Sequence, residues 1–217
     1  MIQRDNKISN YERMRDAAAA AFLSYDQEKM IRKFSLSHDE NALYLEFVAR
    51  LHRIDRQTGV VTWSEDGFRT QRKADYNAAM TIYDVLCDAG DDCCLAHEWV
   101  NIASMSAIQG GTLAKGGNLF LDTGKDFTGR TAALACACRA LGGKPAEKGD
   151  VAYELALFPF LPLLLRFWDA DEDFPASLQL LVDRNTLRYL HYETLMFALT
   201  HLLSRLREES RRAEQLA

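Results

Sequence analysis

Apolar and polar positions alternate along this chain with two different periods, and the changes of period mark its elements. Ser9-Asn10-Tyr11-Glu12 has the form of a capping box, a hydroxyl followed three residues later by a glutamate. Tyr11, Met14, Ala18, Ala21, Phe22 and Tyr25 then recur at helical spacing, and a second short helix follows Asp26 with Met30, Ile31 and Phe34 turned inward. At residue 43 the period drops to two. Leu43, Leu45, Phe47, Ala49 and Leu51 alternate with Tyr44, Glu46, Val48, Arg50 and His52, which predicts a half-buried strand. Arg56–Gly59 reads as its turn and Val60–Trp63 as the return strand. Helical spacing resumes over Gln71–Cys87, with apolar residues on two stripes, so this helix is expected to be well buried.

Between Asn101 and Leu121 the chain has no acidic residue and one lysine, Lys115, with glycine pairs at 110–111 and 116–117; a loop or lid is the expectation. Helical character returns at Phe127–Leu141 and stops at Gly142-Gly143. All four prolines fall between 145 and 175. Val151–Leu157, Leu163–Trp168 and Leu178–Val182 read as three successive strands, with turns at 159–162 and 169–175, because proline cannot donate to a sheet ladder. Leu195, Leu199, Leu202 and Leu206 mark a closing amphipathic helix, after which residues 207–217 read as a charged, frayed tail. Neither a regular strand–helix alternation nor a linker is present. The expectation is therefore a single α+β domain over 1–217: a largely antiparallel sheet, from an N-terminal hairpin and a C-terminal three-stranded meander, packed with four or more helices.

Composition bounds the function. Apolar residues make up 48% and charged residues 26% of the 217, a globular balance. The net charge of −5 argues against nucleic acid or an anionic membrane surface as the main partner. The longest apolar run, Leu155–Leu165, is interrupted by Pro159 and Pro162 and falls short of the about 20 residues a membrane span needs. Five cysteines, an odd number, and no apolar leader point to reduced thiols in a cytoplasm.

Chemistry-bearing residues gather in three places. Cys93, Cys94 and His97 combine thiolate and imidazole within one helical turn, a donor set suited to zinc, although no second pair supplies further ligands. The 109–117 glycine loop, with Lys115, has the backbone N–H groups to hold an anion but lacks the spacing of a Walker or dinucleotide-binding loop. Trp168-Asp169-Ala170-Asp171-Glu172-Asp173-Phe174-Pro175 sets four carboxylates between two aromatics. It fails the calcium-loop pattern, with Phe174 where glycine is required. What remains open is a looser cation site, a carboxylate pair with one member protonated, or a plain solvated turn with Trp168 and Phe174 packed below it.

One resemblance cuts across these segments. Gly149-Asp150-Val151-Ala152-Tyr153-Glu154-Leu155, then Pro159, Pro162-Leu163 and the 168–175 segment, resemble a family pattern of roughly GDVAxELPxxPxxPLxxxLWxxDxEFPP followed by a strand ending in aspartate, here Asp183. Ala140–Pro145 is similar to its ALGGxP element, and Trp99 with the small-residue loop after it to its WxxF and glycine/alanine-rich segment. The family is domain of unknown function thirty-seven eighty-six, and the likeness covers a core of about Trp99 to Leu206. Ala156 departs from a frequent proline. The resemblance implies a cytoplasmic protein of anaerobic bacteria or archaea. Some relatives resemble carriers of an added four-cysteine iron–sulfur module of the type found beside corrinoid proteins; the cysteines here lack that spacing.

The resulting expectation is a ligand- or cofactor-binding protein, with the glycine-rich loop closing over a cleft. Trp99, Trp168 and Phe174 would give apolar area, while Lys115, Asp169, Asp171, Glu172, Asp173 and Tyr192 orient the ligand. A tetrapyrrole, corrinoid or metal-linked cofactor comes only from the family's setting. The alternatives are an enzyme using the 169–173 carboxylates as acid and base beside His191 or Tyr192, and an interaction module that offers an acidic turn to a basic partner. Nothing in the sequence names a cofactor, a reaction or an oligomeric state.

Overall fold

The computed structural model describes residues 9–105 and 121–216. In chain order they form α1 (Asn10–Phe22), α2 (Gln27–Phe34), β1 (Ser37–His38), β2 (Ala42–Phe47), β3 (Arg50–Asp55), β4 (Val61–Trp63), β5 (Arg72–Lys73) and α3 (Tyr76–Asp88). Then follow β6 (Trp99–Asn101), α4 (Thr131–Ala140), β7 (Lys144–Pro145), β8 (Val151–Phe158), β9 (Leu161–Trp168), β10 (Ser177–Asp183) and α5 (Tyr192–Gln215). Two five-stranded antiparallel sheets result, ordered β1-β2-β3-β4-β5 and β6-β10-β9-β8-β7. The α+β class stands, with each sheet larger than the hairpin and meander that the pattern predicts.

The helices start where the sequence supplies caps. Ser9 and Glu12 form the reciprocal capping box of α1, Asp26 accepts from the Lys29 N–H, and Asp75 accepts from the Ala78 N–H. Gln71–Cys87 is not one helix, because its first residues extend into β5 before Asp75 caps α3. Only Ala19 and Phe22 of α1 are buried, and the helix sits so close to the turn after β3 that a Cβ on Gly59 would lie 2.1 Å from the Ala19 carbonyl oxygen. The 207–217 tail is also corrected. α5 continues through it, held by pairs from Arg207 to Asp126 and from Arg212 to Glu65, Glu208 and Glu209.

The expected strand through Leu51 is two strands. Val48 and Ala49 form a two-residue turn with φ of 48° and 52°, so Phe47 pairs back onto Arg50. A β-branched residue in the left-handed region is costly, and what holds it there comes from the other sheet. The Val48 N–H donates to the Leu157 carbonyl at 2.9 Å, and Leu157 lies in a bulge of β8 between Ala156 and Phe158. Phe47 packs on Phe158 at 4.9 Å beside this bond. Leu43, Leu45, Phe47, Arg50, His52, Ile54, Val61 and Trp63 share one face of the first sheet, as their pairings require. β8 and β9 are buried almost throughout, hence their continuous apolar runs.

Candidate functional site

The acidic bend is a rigid device. Asp169 accepts from the Gly129 N–H with both oxygens, at 2.9 and 3.0 Å, and its own N–H donates to Asp150 at 2.7 Å. Asp171 Oδ1 accepts the N–H groups of Asp173 and Phe174 at 2.9 and 2.7 Å, while the Asp171 N–H donates to the Phe174 carbonyl at 3.0 Å. Two of the four carboxylates are thus spent on backbone amides, which fixes the loop. Glu172 and Asp173 are exposed, with no ion pair among the described residues. The aromatics do not pack below the bend: Trp168 is 39% exposed and Phe174 70% exposed. A hollow of about 310 Å³ lies behind Gly129, lined by residues that include Arg130, Ala133, Cys136, Ala213 and Glu214, and no residue of 168–175 lines it.

The other residues expected beside this bend are elsewhere. Trp99 pairs with Asp183 and Trp168 with Ser177, at opposite ends of β10. Six residues of extended strand separate these two pairings by about 20 Å. Tyr192 opens α5, whereas Glu214, which meets Arg130 next to Gly129, is near its far end; a helix of that length spreads them by about 33 Å. Trp99 and Tyr192 therefore share no cleft with Trp168, Asp171 and Phe174. Lys115 and its glycine loop lie outside the described residues.

Cys93, Cys94 and His97 sit on a loop wrapped around Asp183. That buried carboxylate accepts from Ala96, His97 and Asn185 N–H groups at 2.9, 2.7 and 2.8 Å. Burial pushes its pKa up, but these bonds outweigh it and hold the carboxyl below its ordinary value. The aspartate closing the family-like strand is thus the anchor of this loop. Among the described residues no group of three or more His, Cys, Asp or Glu side chains is placed to hold a metal ion.

Two hollows missed by pattern reading flank α3, one against α2 and the other against α1 and the start of α5. One, of about 300 Å³, is lined by residues that include Tyr25, Asp26, Lys29, Lys33 and Cys87; the second, of about 170 Å³, includes Tyr25, Tyr83, Asp84, Cys87 and Asp88. Beside them Asp84 holds His191 by two bonds, from the backbone N–H at 2.8 Å and from Nδ1 at 2.6 Å. This contact raises the His191 pKa. Burial pushes the Cys87 thiol up to about 12, so it lines both hollows as a neutral group. A second histidine cluster lies between the first sheet and α5, where His52 and His201 are buried and Asp75 meets His201 from the exposed edge. No signal announces it, since its members are far apart in sequence.

No helix among the described residues is long and apolar enough to cross a membrane. Comparison with curated proteins and with solved structures returns no match. The family comparison does: it spans residues 26–205, takes in the first sheet as well as the segment from Trp99 onward, and shows that the chain belongs to the family described as Domain of unknown function (DUF3786).

Proposed function

We propose that this chain is an interaction module, whose bend at 168–175 docks a basic partner surface with an apolar notch. The observation that carries the reading is Phe174, 70% exposed at the tip of a loop that the Asp169 and Asp171 bonds hold rigid. A ring presented in advance on a fixed turn loses little entropy on docking, and it is the kind of anchor that dominates interfaces. The free carboxylates of Glu172 and Asp173 beside it supply orientation and a faster encounter with a cationic surface. In the test, a photo-crosslinking phenylalanine replaces Phe174 in the full chain, expressed in its own cells. A discrete adduct, lost when salt is raised to screen the acids, supports the reading. Adducts no different from those of the same probe at exposed Glu40 refute it.

The second reading is binding of a small molecule in the paired hollows. It is favoured by Tyr25 and Cys87, which line both. Lysines and carboxylates around them suit a polar ligand of modest size better than a tetrapyrrole or corrinoid, which these volumes do not accommodate. Native mass spectrometry of protein purified without oxygen is the test: a retained small molecule that disappears in Cys87→Trp supports it, and a bare chain counts against it.

A further inference from the structure

The face of the first sheet that meets α5 carries two histidines in unusual surroundings. His52 is fully buried, and His201 nearly so. The His52 Nδ1–H donates to the Arg50 carbonyl at 2.8 Å, and His201 Nδ1 meets the Asp75 carboxylate at 3.0 Å. Both contacts fix the proton on Nδ1, because a carbonyl and a carboxylate only accept. Each ring is left with Nε2 inside the interface, and neither Nε2 has a partner among the described residues. Phe47 lies against both rings, 5.0 Å from His201 and 6.0 Å from His52.

Charged groups ring the pair. The guanidiniums of Arg50 on β3 and of Arg205 and Arg212 on α5 pair with the carboxylates of Glu65 after β4 and of Glu208 and Glu209 on α5, Arg72 on β5 lies over Trp63, and Asp75 before α3 pairs with His201. Trp63 of β4 lies under Arg50 at 3.7 Å, and from β8 the facing group is the Phe158 ring. A proton added to His52 creates an Nε2–H without an acceptor and a buried charge without a paired carboxylate, next to Arg50, whereas a charge on His201 would have Asp75 as its partner.

We infer that His52 forms an acid-released latch, which holds the β2–β3 hairpin on α5 while its ring is neutral and frees it when the ring is protonated. Burial, assisted by the charges of His201 and Arg50 against the Arg50 carbonyl bond, pushes the His52 pKa down to about 3 from 6.5. The sign follows from that direction. A group whose folded pKa is depressed stabilises the closed form above 6.5, and that stabilisation drains as the pH falls towards 3. Asp75 and Glu208 act in the same direction at lower pH. Loss of water around each pushes its pKa up, but the bonds to His201 and to Arg205 respectively outweigh this and hold it below the ordinary carboxylate value.

Amide hydrogen exchange on the full chain between pH 7 and 4.5 tests this, with rates corrected for intrinsic exchange. Protection of β2 and β3 amides should fall about tenfold per pH unit below 6.5, while β8 and β9 stay protected, because each unit shifts the closed-to-open ratio about tenfold for the single His52 proton. His52→Phe should flatten that slope. Should the variant not fold, a histidine NMR titration of the wild type replaces it, with the His52 ring expected to stay neutral until the hairpin opens. Loss of protection in both sheets together overturns the latch. So does an unchanged slope in His52→Phe, or a His52 ring that titrates near 6.5 with its hairpin still protected.

Discussion

The Val48-Ala49 turn allows a test in which two neighbouring substitutions should change stability in opposite directions. Both residues hold φ near +50°, where an L side chain costs about 1–2 kcal/mol relative to glycine. Ala49 is exposed, so Ala49→Gly removes the strain and sacrifices almost no burial. Glycine adds about 0.4–1 kcal/mol of freedom to the unfolded chain, which leaves a net gain of about 0.5–1 kcal/mol. Val48 is 1% exposed. Val48→Gly releases similar strain but empties a packed site worth about 2–3 kcal/mol, a net loss of about 1–2 kcal/mol. Urea unfolding at neutral pH reads both, and in a thermal scan of a chain this size each kcal/mol moves Tm by about 2–4 °C. If Ala49→Gly destabilises, the turn carries no strain and the account of how the bulge at Leu157 fixes it fails.

Other outcomes follow from single sites. Asp183→Ala should cost about 3–5 kcal/mol in urea unfolding, because it leaves the N–H groups of Ala96, His97 and Asn185 with no acceptor; a loss below 1 kcal/mol would mean that water satisfies them. The Asp84 contact raises the His191 pKa, so the stability it gives is complete below 6.5 and is lost as the pH rises through the folded value. Asp84→Asn should therefore narrow the Tm difference between pH 6 and pH 8.5, and an unchanged difference would discount the pair. Towards a thiol reagent, exposed Cys94 and Cys136 should react first, with buried Cys138, its thiol pushed up to about 12 by burial, reacting only on unfolding; early labelling of Cys138 would contradict its packing.

The sequence announces those parts of the fold where a local rule acts alone. Ser9 and Asp26 each start a helix, and apolar runs framed by Pro159, Pro162 and Pro175 place β8, β9 and β10 to within two residues. It conceals those decided across the molecule. Neither Val48 nor Ala49 is a turn-former, so no local signal separates β2 from β3; the bond to Leu157 does that. Strands β5, β6 and β7 are too short for periodicity to register. The site suffers most. The bend is visible as composition, but whether Asp169 and Asp171 face solvent or their own backbone depends on Gly129 and on turn geometry. Trp99 and Tyr192 appear near it only while the lengths of β10 and α5 are unknown, and His52 and His201 are brought together by tertiary packing alone.

The bond from Val48 to the carbonyl in the β8 bulge has a consequence for dissecting this protein. A piece begun at Trp99, where the family-like pattern starts, would leave that carbonyl unsatisfied and strip the cover from Phe158. The two halves are thus stitched rather than hinged: neither can be exchanged, grafted or expressed by itself without a replacement for the other's tip, and a recombination event between them would have to bring both sides of the joint along.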